Sequence, residues 1–193
     1  GRTGRDGLRG ATFSSMTMDA QTGEVAGASV QIGAPITEKG LIEVVLRARD
    51  EGLYTAITDF GAGGLSSAVG EMAQELGCRV DLEKVPLKYK GLSYPEIWIS
   101  ESQERMTISV KKEKLEELLE VFAGENVEAT VIGEFTDTKR LQLFYHNHLV
   151  CDLDMQFLHE GLPKTEKKAR YIQAKHKEPV IAVKKDLTPY LTR

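Results

Sequence analysis

Hydrophobic residues along this chain follow two different periods, and the period indicates the type of element. Apolar residues that recur every three to four positions predict helices, at residues 36–50, 65–76, 95–99 and 111–123. Short apolar and β-branched runs predict strands, at residues 27–31, 53–59, 78–82, 105–110, 127–134, 140–145 and 149–151. Strands that alternate with helices indicate an α/β fold, a layered sandwich with helices packed on a mixed β-sheet.

The connections between these elements suggest where the domain ends. Asn147 and His148 suit the turn of a hairpin between the last two predicted strands. Beyond residue 163 the periodicity fades, apart from the apolar run 180–183. We therefore predict one domain over residues 1–163. We interpret residues 164–193 as a linker or the start of a following domain, in which the run 180–183 begins the next element.

The joint between the second predicted strand and the helix after it is rich in glycine. Asp59 ends the strand, and Gly61, Gly63 and Gly64 follow it. Glycine permits positive φ and close approach of a ligand, and the free N–H groups at the start of a helix attract anions. Asp59 would hold a cation that neutralises the same anion. The joint therefore suits a metal–phosphate group, although tight packing of a helix against a strand also requires glycine.

The first ten residues form a second glycine-rich segment. They contain four glycines, three arginines and an aspartate. Arginine makes bidentate contacts with phosphate, and glycine lets the backbone wrap around the group. The alternative is a disordered basic terminus.

Polar residues also stand beside two of the predicted strands. Glu101, Ser102 and Gln103 precede the strand 105–110, and Gln31 closes the strand 27–31. Their acceptors and donors suit the hydroxyl and amide groups of a ligand. Taken alone, the tripeptide is typical of a solvated loop, and Gln31 is typical of an exposed strand edge.

Composition narrows the classes of function. A hydrophobic fraction of 41% and a charged fraction of 28% suit a globular protein with a substantial core. The net charge of −4 disfavours nucleic-acid binding, and no apolar run is long enough to span a membrane. Cys78 and Cys151 each stand alone in an apolar run, which favours reduced thiols and a cytoplasmic location.

Several of these segments together resemble the signatures of phosphoribosylformylglycinamidine synthase, an ATP-dependent amidotransferase of purine biosynthesis. The matching segments are 1–7 with 11–13, 30–35, 59–65, 100–106 and 152–161. The first four of these segments are signatures in the order of the family, and together they are far more specific than any one of them; the segment 152–161 also resembles the family. The resemblance runs from Gly1 to about Pro163 and becomes weaker after Lys164.

The resemblance implies a reaction and a fold. The family transfers glutamine-derived ammonia to formylglycinamide ribotide, and the products are formylglycinamidine ribotide, ADP and phosphate. ATP phosphorylates the amide oxygen, and ammonia then displaces phosphate. The expected fold is the carboxy-terminal domain of aminoimidazole ribotide synthetase-like proteins. The cofactors implied are ATP and Mg²⁺.

The resemblance also implies roles for particular residues. Asp59 is expected to bind magnesium. Substrate binding is expected from Gln31, Glu101, Ser102 and Gln103. The nucleotide or phosphate site is expected to be bounded by Gly4, Arg5, Asp6, Gly7, Gly61, Gly63 and Gly64. No catalytic residue is expected within this sequence.

The sequence lacks an initiator Met and starts inside a signature, so we expect it to be a piece of a longer chain. The expected partners are formylglycinamide ribotide, a glutaminase subunit or domain, and the remaining domains of the longer chain. We expect the isolated chain to fold, to be catalytically silent, and to associate with itself or with those neighbours.

Two alternative functions remain open at this point. The first is a sister enzyme with the same fold, such as aminoimidazole ribotide synthetase or selenophosphate synthetase. The segment 100–106 argues against it, because this segment resembles the formylglycinamidine synthases in particular. The second is a non-catalytic binding or structural domain in which the glycines serve only turns.

Overall fold

The computed structural model describes residues 1–17, 19–173, 186 and 188. The chain divides into two compact units, Gly1–Leu162 and Pro163–Arg193. In the second unit, residues 163–173 form no helix or strand, and their side chains are exposed. The apolar run 180–183 lies outside the described residues. The interpretation of residues 164–193 as a linker or a following domain stays a prediction.

Helices and strands alternate along the first unit. The α-helices are α1 (Gly10–Ser14), α2 (Thr22–Val25), α3 (Pro35–Asp50), α4 (Leu65–Met72), α5 (Tyr94–Ile99), α6 (Leu115–Gly124) and α7 (Met155–Glu160). Short 3₁₀ helices cover Gly27–Ser29, Leu82–Lys84 and Lys112–Lys114. The strands are β1 (Ala56–Asp59), β2 (Cys78–Asp81), β3 (Met106–Ser109), β4 (Gly133–Phe135), β5 (Arg140–Tyr145) and β6 (His148–Asp154).

Local chemistry explains where two of the helices begin. Pro35 stands in the first turn of α3, where its missing N–H costs no hydrogen bond. Ser93 and Glu96 form a reciprocal capping box at the start of α5, and this satisfies two backbone N–H groups. Both helices were predicted from the sequence, and both are present.

The strands form two sheets. Strands β1 and β3 pair antiparallel, with Asp59 opposite Met106. The other sheet has the order β4-β2-β5-β6 and is mixed, because β2 runs parallel to β5 and antiparallel to β4. Helices packed on a mixed sheet confirm the predicted α/β class. The two-stranded ribbon is separate from that sheet and positions Asp59.

Two hydrophobic clusters stabilise these layers. One joins α4, α5 and α7 to the four-stranded sheet, with Leu65, Ile97 and Leu141 among its buried members. The other joins α3 to α6, with Val44 and Phe122 buried between them. The candidate site lies on the loops that lead into these helices: the glycine joint leads into α4 of the first cluster, and the loop before α3 leads into the second.

Two predicted elements are shorter in the structure: the strand predicted at 53–59 is β1 (Ala56–Asp59), and the helix predicted at 65–76 is α4 (Leu65–Met72). Three others differ more. Residues 27–31 do not form a strand, because Gly27–Ser29 closes a 3₁₀ turn in which the N–H of Val30 bonds the carbonyl of Gly27 at 3.3 Å. Residues 127–132 are irregular, and pairing with β2 begins only at Gly133. The hairpin turn is one position earlier than predicted, at His146 and Asn147, which both have positive φ.

The cysteines and helix lengths add two further facts. Cys78 is buried on β2, Cys151 is half-buried on β6, and both are free thiols. Burial raises the pKa of the Cys78 thiol to about 11. No helix in the described residues is long and apolar enough to cross a membrane.

Candidate functional site

A cavity of about 670 Å³ lies on the first unit, and it gathers most of the signatures on one surface. Four segments contribute to its wall: the start of α1, the loop before α3, the end of β1 with the glycine joint, and residues 101–106. Among the predicted site residues, the cavity is lined by Gln31, Asp59, Gly61, Glu101, Ser102 and Gln103. Residues far apart in sequence therefore converge on one place.

Glu101 connects three of these segments. Its carboxylate oxygens accept the N–H of Gly63 at 3.0 Å and the N–H of Ala11 at 3.0 Å. Its backbone carbonyl accepts the side-chain amide of Gln31 at 2.9 Å. The residue is only 6% exposed, so its carboxylate is part of the wall of the cavity.

Ser102 connects the same segment to the N-terminal residues. Its hydroxyl accepts the N–H of Gly4 at 3.0 Å and lies 3.0 Å from a carboxylate oxygen of Asp6. It also lies 3.0 Å from the hydroxyl of Ser100. Because Ser102 is only 1% exposed, these bonds satisfy a polar group that burial would otherwise leave unpaired.

Arg105 is buried at the base of this segment. It donates to the carbonyls of Ser100 and Ser102, at 2.5 and 2.7 Å, and to the hydroxyl of Thr3 at 2.9 Å. Its guanidinium also stacks on Phe60. Burial lowers the pKa of Arg105 to about 10, and the charge of Asp6 opposes this only in part. The side chain therefore remains charged at neutral pH and holds the segment by hydrogen bonds.

Glu104 holds the loop that leads into α3. Its carboxylate accepts the N–H of Ala34 at 2.6 Å, next to the positive end of that helix. The backbone of Glu104 has a φ of 55°, which is uncommon for a residue with a side chain. The segment 100–105 thus forms hydrogen bonds to α1, to the loop before α3 and to the glycine joint.

The N-terminal signature is part of the folded domain. The N–H of Thr3 bonds the carbonyl of Pro86 at 2.8 Å, and the N–H of Lys88 bonds the carbonyl of Thr3 at 2.8 Å. These bonds contradict the alternative of a disordered terminus. Gly4, Arg5, Asp6 and Gly7 themselves lie outside the cavity lining.

The charges of Arg5 and Asp6 are paired within the domain. Arg5 binds Glu96 at 2.8 Å, and Asp6 binds Lys88 at 2.8 Å. Burial alone would raise the pKa of Asp6, but hydrogen bonds from Lys88 and Ser102 outweigh it, so the pKa is lowered. A phosphate role for these residues stays a prediction.

The glycine joint holds an anion that belongs to the chain itself. The N–H of Gly63 already bonds Glu101, and Gly64 packs directly on the backbone of Ser100. A Cβ at Gly64 would lie 1.9 Å from the carbonyl oxygen of Ser100. Glycine at position 64 is therefore required by packing. Gly61 lines the cavity, and a Cβ there would meet no atom of the described residues within 4 Å.

Three polar side chains on the cavity have no partner among the described residues. They are Glu38, Asp59 and Gln103. Asp59 is exposed at the end of β1, and Gln103 presents a complete side-chain amide. In the described part of the chain, no three His, Cys, Asp or Glu side chains form a group that could hold a metal ion.

The family of the chain follows from comparison with known proteins. Residues 2–146 match the family model described as AIR synthase related protein, C-terminal domain. The chain belongs to this family. As an AIR synthase related C-terminal domain, it is expected to share its fold with several enzymes of different specificity.

The individual relatives are named enzymes, and they therefore describe what the chain resembles more narrowly than the family model does. The subunit PurL of phosphoribosylformylglycinamidine synthase from Picrophilus torridus is 46% identical over 160 residues, which are 82% of this chain and 22% of that protein. T. maritima PurL complexed with FGAR is 36% identical with a TM-score of 0.80, over 92% of this chain and 29% of that one. T. maritima PurL complexed with ATP is 32% identical with a TM-score of 0.73, over 91% and 27%. This AIR synthase related domain therefore spans less than a third of the length of these relatives.

Sequence reasoning missed two residues that organise the site of this AIR synthase related domain. Arg105 and Glu104 lie within the signature 100–106, but the sequence alone predicts no role for them. The sequence does contain one signal for Arg105, which is a charged residue at the first position of the predicted strand 105–110. A charge buried there would need hydrogen-bond partners of its own. The contact between Glu104 and Ala34 had no sequence signal, because it joins segments 70 residues apart.

Proposed function

We propose that this domain forms one wall of the active site of an ATP-dependent amidotransferase that converts formylglycinamide ribotide to formylglycinamidine ribotide. Gln31, Glu101, Ser102 and Gln103 form the substrate side of the wall. Asp59 and the glycine joint form the side that faces the transferring phosphate. The observation that carries the proposal is the convergence of these separate signatures on one cavity.

The charge of the cavity supports a bound cation. Its lining includes the carboxylates Glu38, Asp59, Glu101 and Glu104 but only one guanidinium, Arg105. Two anionic ligands, ATP and a ribotide phosphate, would meet net negative charge there. A divalent cation would reverse that repulsion.

The donors fit Mg²⁺ at Asp59. Magnesium takes one or two carboxylates together with phosphate oxygens rather than a complete cage of protein ligands. Asp59 offers an exposed carboxylate that has no partner in the described part of the chain, whereas Glu101 is already bonded to two backbone amides. Bound there, Mg²⁺ would neutralise charge on the transferring phosphoryl group.

The residues of this chain then bind and orient the substrate. The side-chain amides of Gln31 and Gln103 suit the hydroxyl and amide groups of the ribotide. Arg105 and Glu104 hold the segment 100–105 in place by their hydrogen bonds to Ser100, Ser102 and Ala34, so that the reacting amide is held near the phosphate of ATP. The catalytic groups and the second wall of the site would come from other domains, together with a glutaminase that supplies ammonia. By the same resemblance we propose a cytoplasmic enzyme, and self-association of the isolated domain.

A turnover experiment tests this function. The full-length protein that contains this chain is incubated with ATP, Mg²⁺, ammonia and formylglycinamide ribotide, and the ribotide product is measured by mass spectrometry together with ADP. We expect stoichiometric formylglycinamidine ribotide and ADP. Consumption of ATP with formylglycinamidine ribotide or selenide as the only acceptor, yielding ADP in the first case and AMP in the second, would instead identify a sister enzyme. Absence of turnover with all three would favour a non-catalytic domain.

A further inference from the structure

Each oxygen of the Glu101 carboxylate accepts a backbone hydrogen bond from within the domain. One oxygen accepts the N–H of Gly63 and the other accepts the N–H of Ala11, each at 3.0 Å. Ala11 belongs to α1 and Gly63 to the glycine joint, so the two donors lie in different walls of the cavity. One buried side chain therefore ties these walls together.

Glycines of the signatures make room for this side chain. A Cβ at Gly10 would lie 2.5 Å from a carboxylate oxygen of Glu101. A Cβ at Gly7 would lie 2.7 Å from the carbonyl carbon of Glu101, and Gly7 also has a φ of +81°. Since a side chain at either position would displace Glu101, these glycines serve the contact with Glu101.

Gln103 differs from Glu101 in its burial and in the hydrogen bonds of its side chain. It lines the same cavity, is only partly buried, and has no hydrogen-bond partner for its side-chain amide among the described residues. Its donor and acceptor are therefore available to a ligand. The neighbouring Ser102 is buried and bonded to the N-terminal segment.

We propose that Glu101 is a positioning residue, which fixes the separation of α1 from the glycine joint, whereas the side chain of Gln103 remains available for the substrate contact already proposed for it. This assignment rests on the proposed function for the identity of the substrate, but the bridge itself does not. The Glu101→Gln substitution keeps the size and shape of the side chain but removes its charge and one of its two acceptor oxygens. The amide offers one acceptor, and its NH₂ group would face the second backbone N–H, so one of the two bonds must be lost.

The first test needs no substitution. Scalar couplings across hydrogen bonds are measured by NMR in the isotope-labelled 193-residue chain, between the side-chain carboxylate carbon of Glu101 and backbone nitrogens. We expect a coupling to both Ala11 and Gly63. A coupling to only one of these nitrogens, or to neither, overturns the bridge.

The second test uses amide hydrogen exchange. Loss of a hydrogen bond in Glu101→Gln should accelerate exchange at Ala11 or Gly63 by about tenfold. Glu120→Gln is the matched control, because Glu120 is exposed on α6 and leaves these amides unchanged. Unaltered exchange at both amides in a folded Glu101→Gln chain overturns the proposal. If this variant does not fold, the couplings in the unsubstituted chain decide.

The third test separates positioning from contact in the full-length enzyme. Because both walls move in Glu101→Gln, we expect kcat/KM to fall for formylglycinamide ribotide and for ATP alike. Gln103→Ala should raise KM for the ribotide alone, by about tenfold for a lost ligand hydrogen bond. A Glu101→Gln enzyme with a raised KM for the ribotide and an unchanged KM for ATP would contradict the positioning role. Failure of the unsubstituted enzyme to use the ribotide would refute the proposed function, while the couplings would still decide the bridge.

Discussion

The guanidinium carbon of Arg105 lies 4.4 Å from the centre of the Phe60 ring. Phe60 directly follows Asp59 at the end of β1, and Arg105 directly precedes β3, which pairs with β1. The stacked pair therefore locks the edge of the two-stranded ribbon where Asp59 meets the cavity. Cation–π contacts strengthen when the cation is desolvated, and Arg105 is only 7% exposed.

Replacing Arg105 with lysine should destabilise the domain despite the conserved charge. The lysine ammonium lacks the planar fork that reaches Ser100, Ser102 and Thr3 together. Leaving a buried acceptor unpaired costs roughly 1–3 kcal/mol, so we expect the free energy of unfolding to fall by about 2 kcal/mol. Urea unfolding of the 193-residue chain measures this. Arg2→Lys is the control, because Arg2 pairs with Glu128 at an exposed site. Equal stability of the two variants would show that the hydrogen bonds of Arg105 to Ser100, Ser102 and Thr3 do not stabilise the domain.

Gly64→Ala should be far more damaging than Gly61→Ala, although both lie in the same joint. Gly64 has a φ of 59° and a ψ of −128°, and an added Cβ would lie 1.9 Å from the carbonyl oxygen of Ser100. We expect a loss of at least about 3 kcal/mol, or failure to fold, from strain and overpacking. At Gly61 no atom lies within 4 Å of the added Cβ, so the change should stay within about 1 kcal/mol. Thermal and urea unfolding compare the two, and similar losses would contradict the packing explanation.

Glu96 should contribute a pH-dependent part of the stability. The hydrogen bond from Arg5, followed by those from the backbone and hydroxyl of Ser93, lowers the pKa of Glu96 from 4.5 to about 2. A carboxylate with a lowered pKa stabilises the fold above its unfolded pKa and loses this effect as the pH falls through the folded pKa. The stability difference between the unsubstituted chain and Glu96→Gln should therefore be constant near neutral pH and shrink between pH 4.5 and pH 2.

Urea unfolding at a series of pH values measures that difference. Comparison with Glu96→Gln at each pH removes the contributions of other carboxylates, such as Asp6, whose pKa is also lowered. The exposed Glu120→Gln variant should show no such trend. A difference that stays flat or grows as the pH falls from 4.5 to 2 would show that the pairing with Arg5 is energetically negligible.

Asp59→Asn should leave stability unchanged and remove turnover of the full-length enzyme. Asp59 is exposed and unpaired among the described residues, so the fold loses no contact. Loss of a charged ligand to magnesium would cost several kcal/mol in the transition state for phosphoryl transfer. The measurements are urea unfolding of the chain and ADP release by the enzyme at increasing Mg²⁺. Near-normal turnover at saturating Mg²⁺ would exclude Asp59 from the metal site.

Elements with strong local signals were predictable. The periodicity of α3 and α6 indicates one apolar face on each helix, and those faces pack against each other in the structure. The run 27–31 shows the limit of this reasoning. Its apolar residues suggest a strand, but a strand requires a partner, and the turn at Gly27 satisfies its hydrogen bonds locally.

For the candidate site, the sequence indicated which residues belong to it but not which of them bind other residues of the domain. The sequence placed Gln31, Asp59 and Gln103 among the site residues, and all three line one cavity. It also grouped Glu101 with the ligand-binding residues, whereas the structure directs its carboxylate to Ala11 and Gly63. Residue type and local spacing carry no information about such partners.

The sequence by itself determined the α/β class, the positions of the long helices and the family signatures, because each depends on residues close together in the chain. Only the tertiary structure decided which charged groups are free for a ligand. Glu101, Asp6 and Arg5 are paired within the domain, whereas the carboxylate of Asp59 has no partner among the described residues. The physical reason is that a hydrogen bond is made over about 3 Å in space, whatever the separation of its partners along the chain.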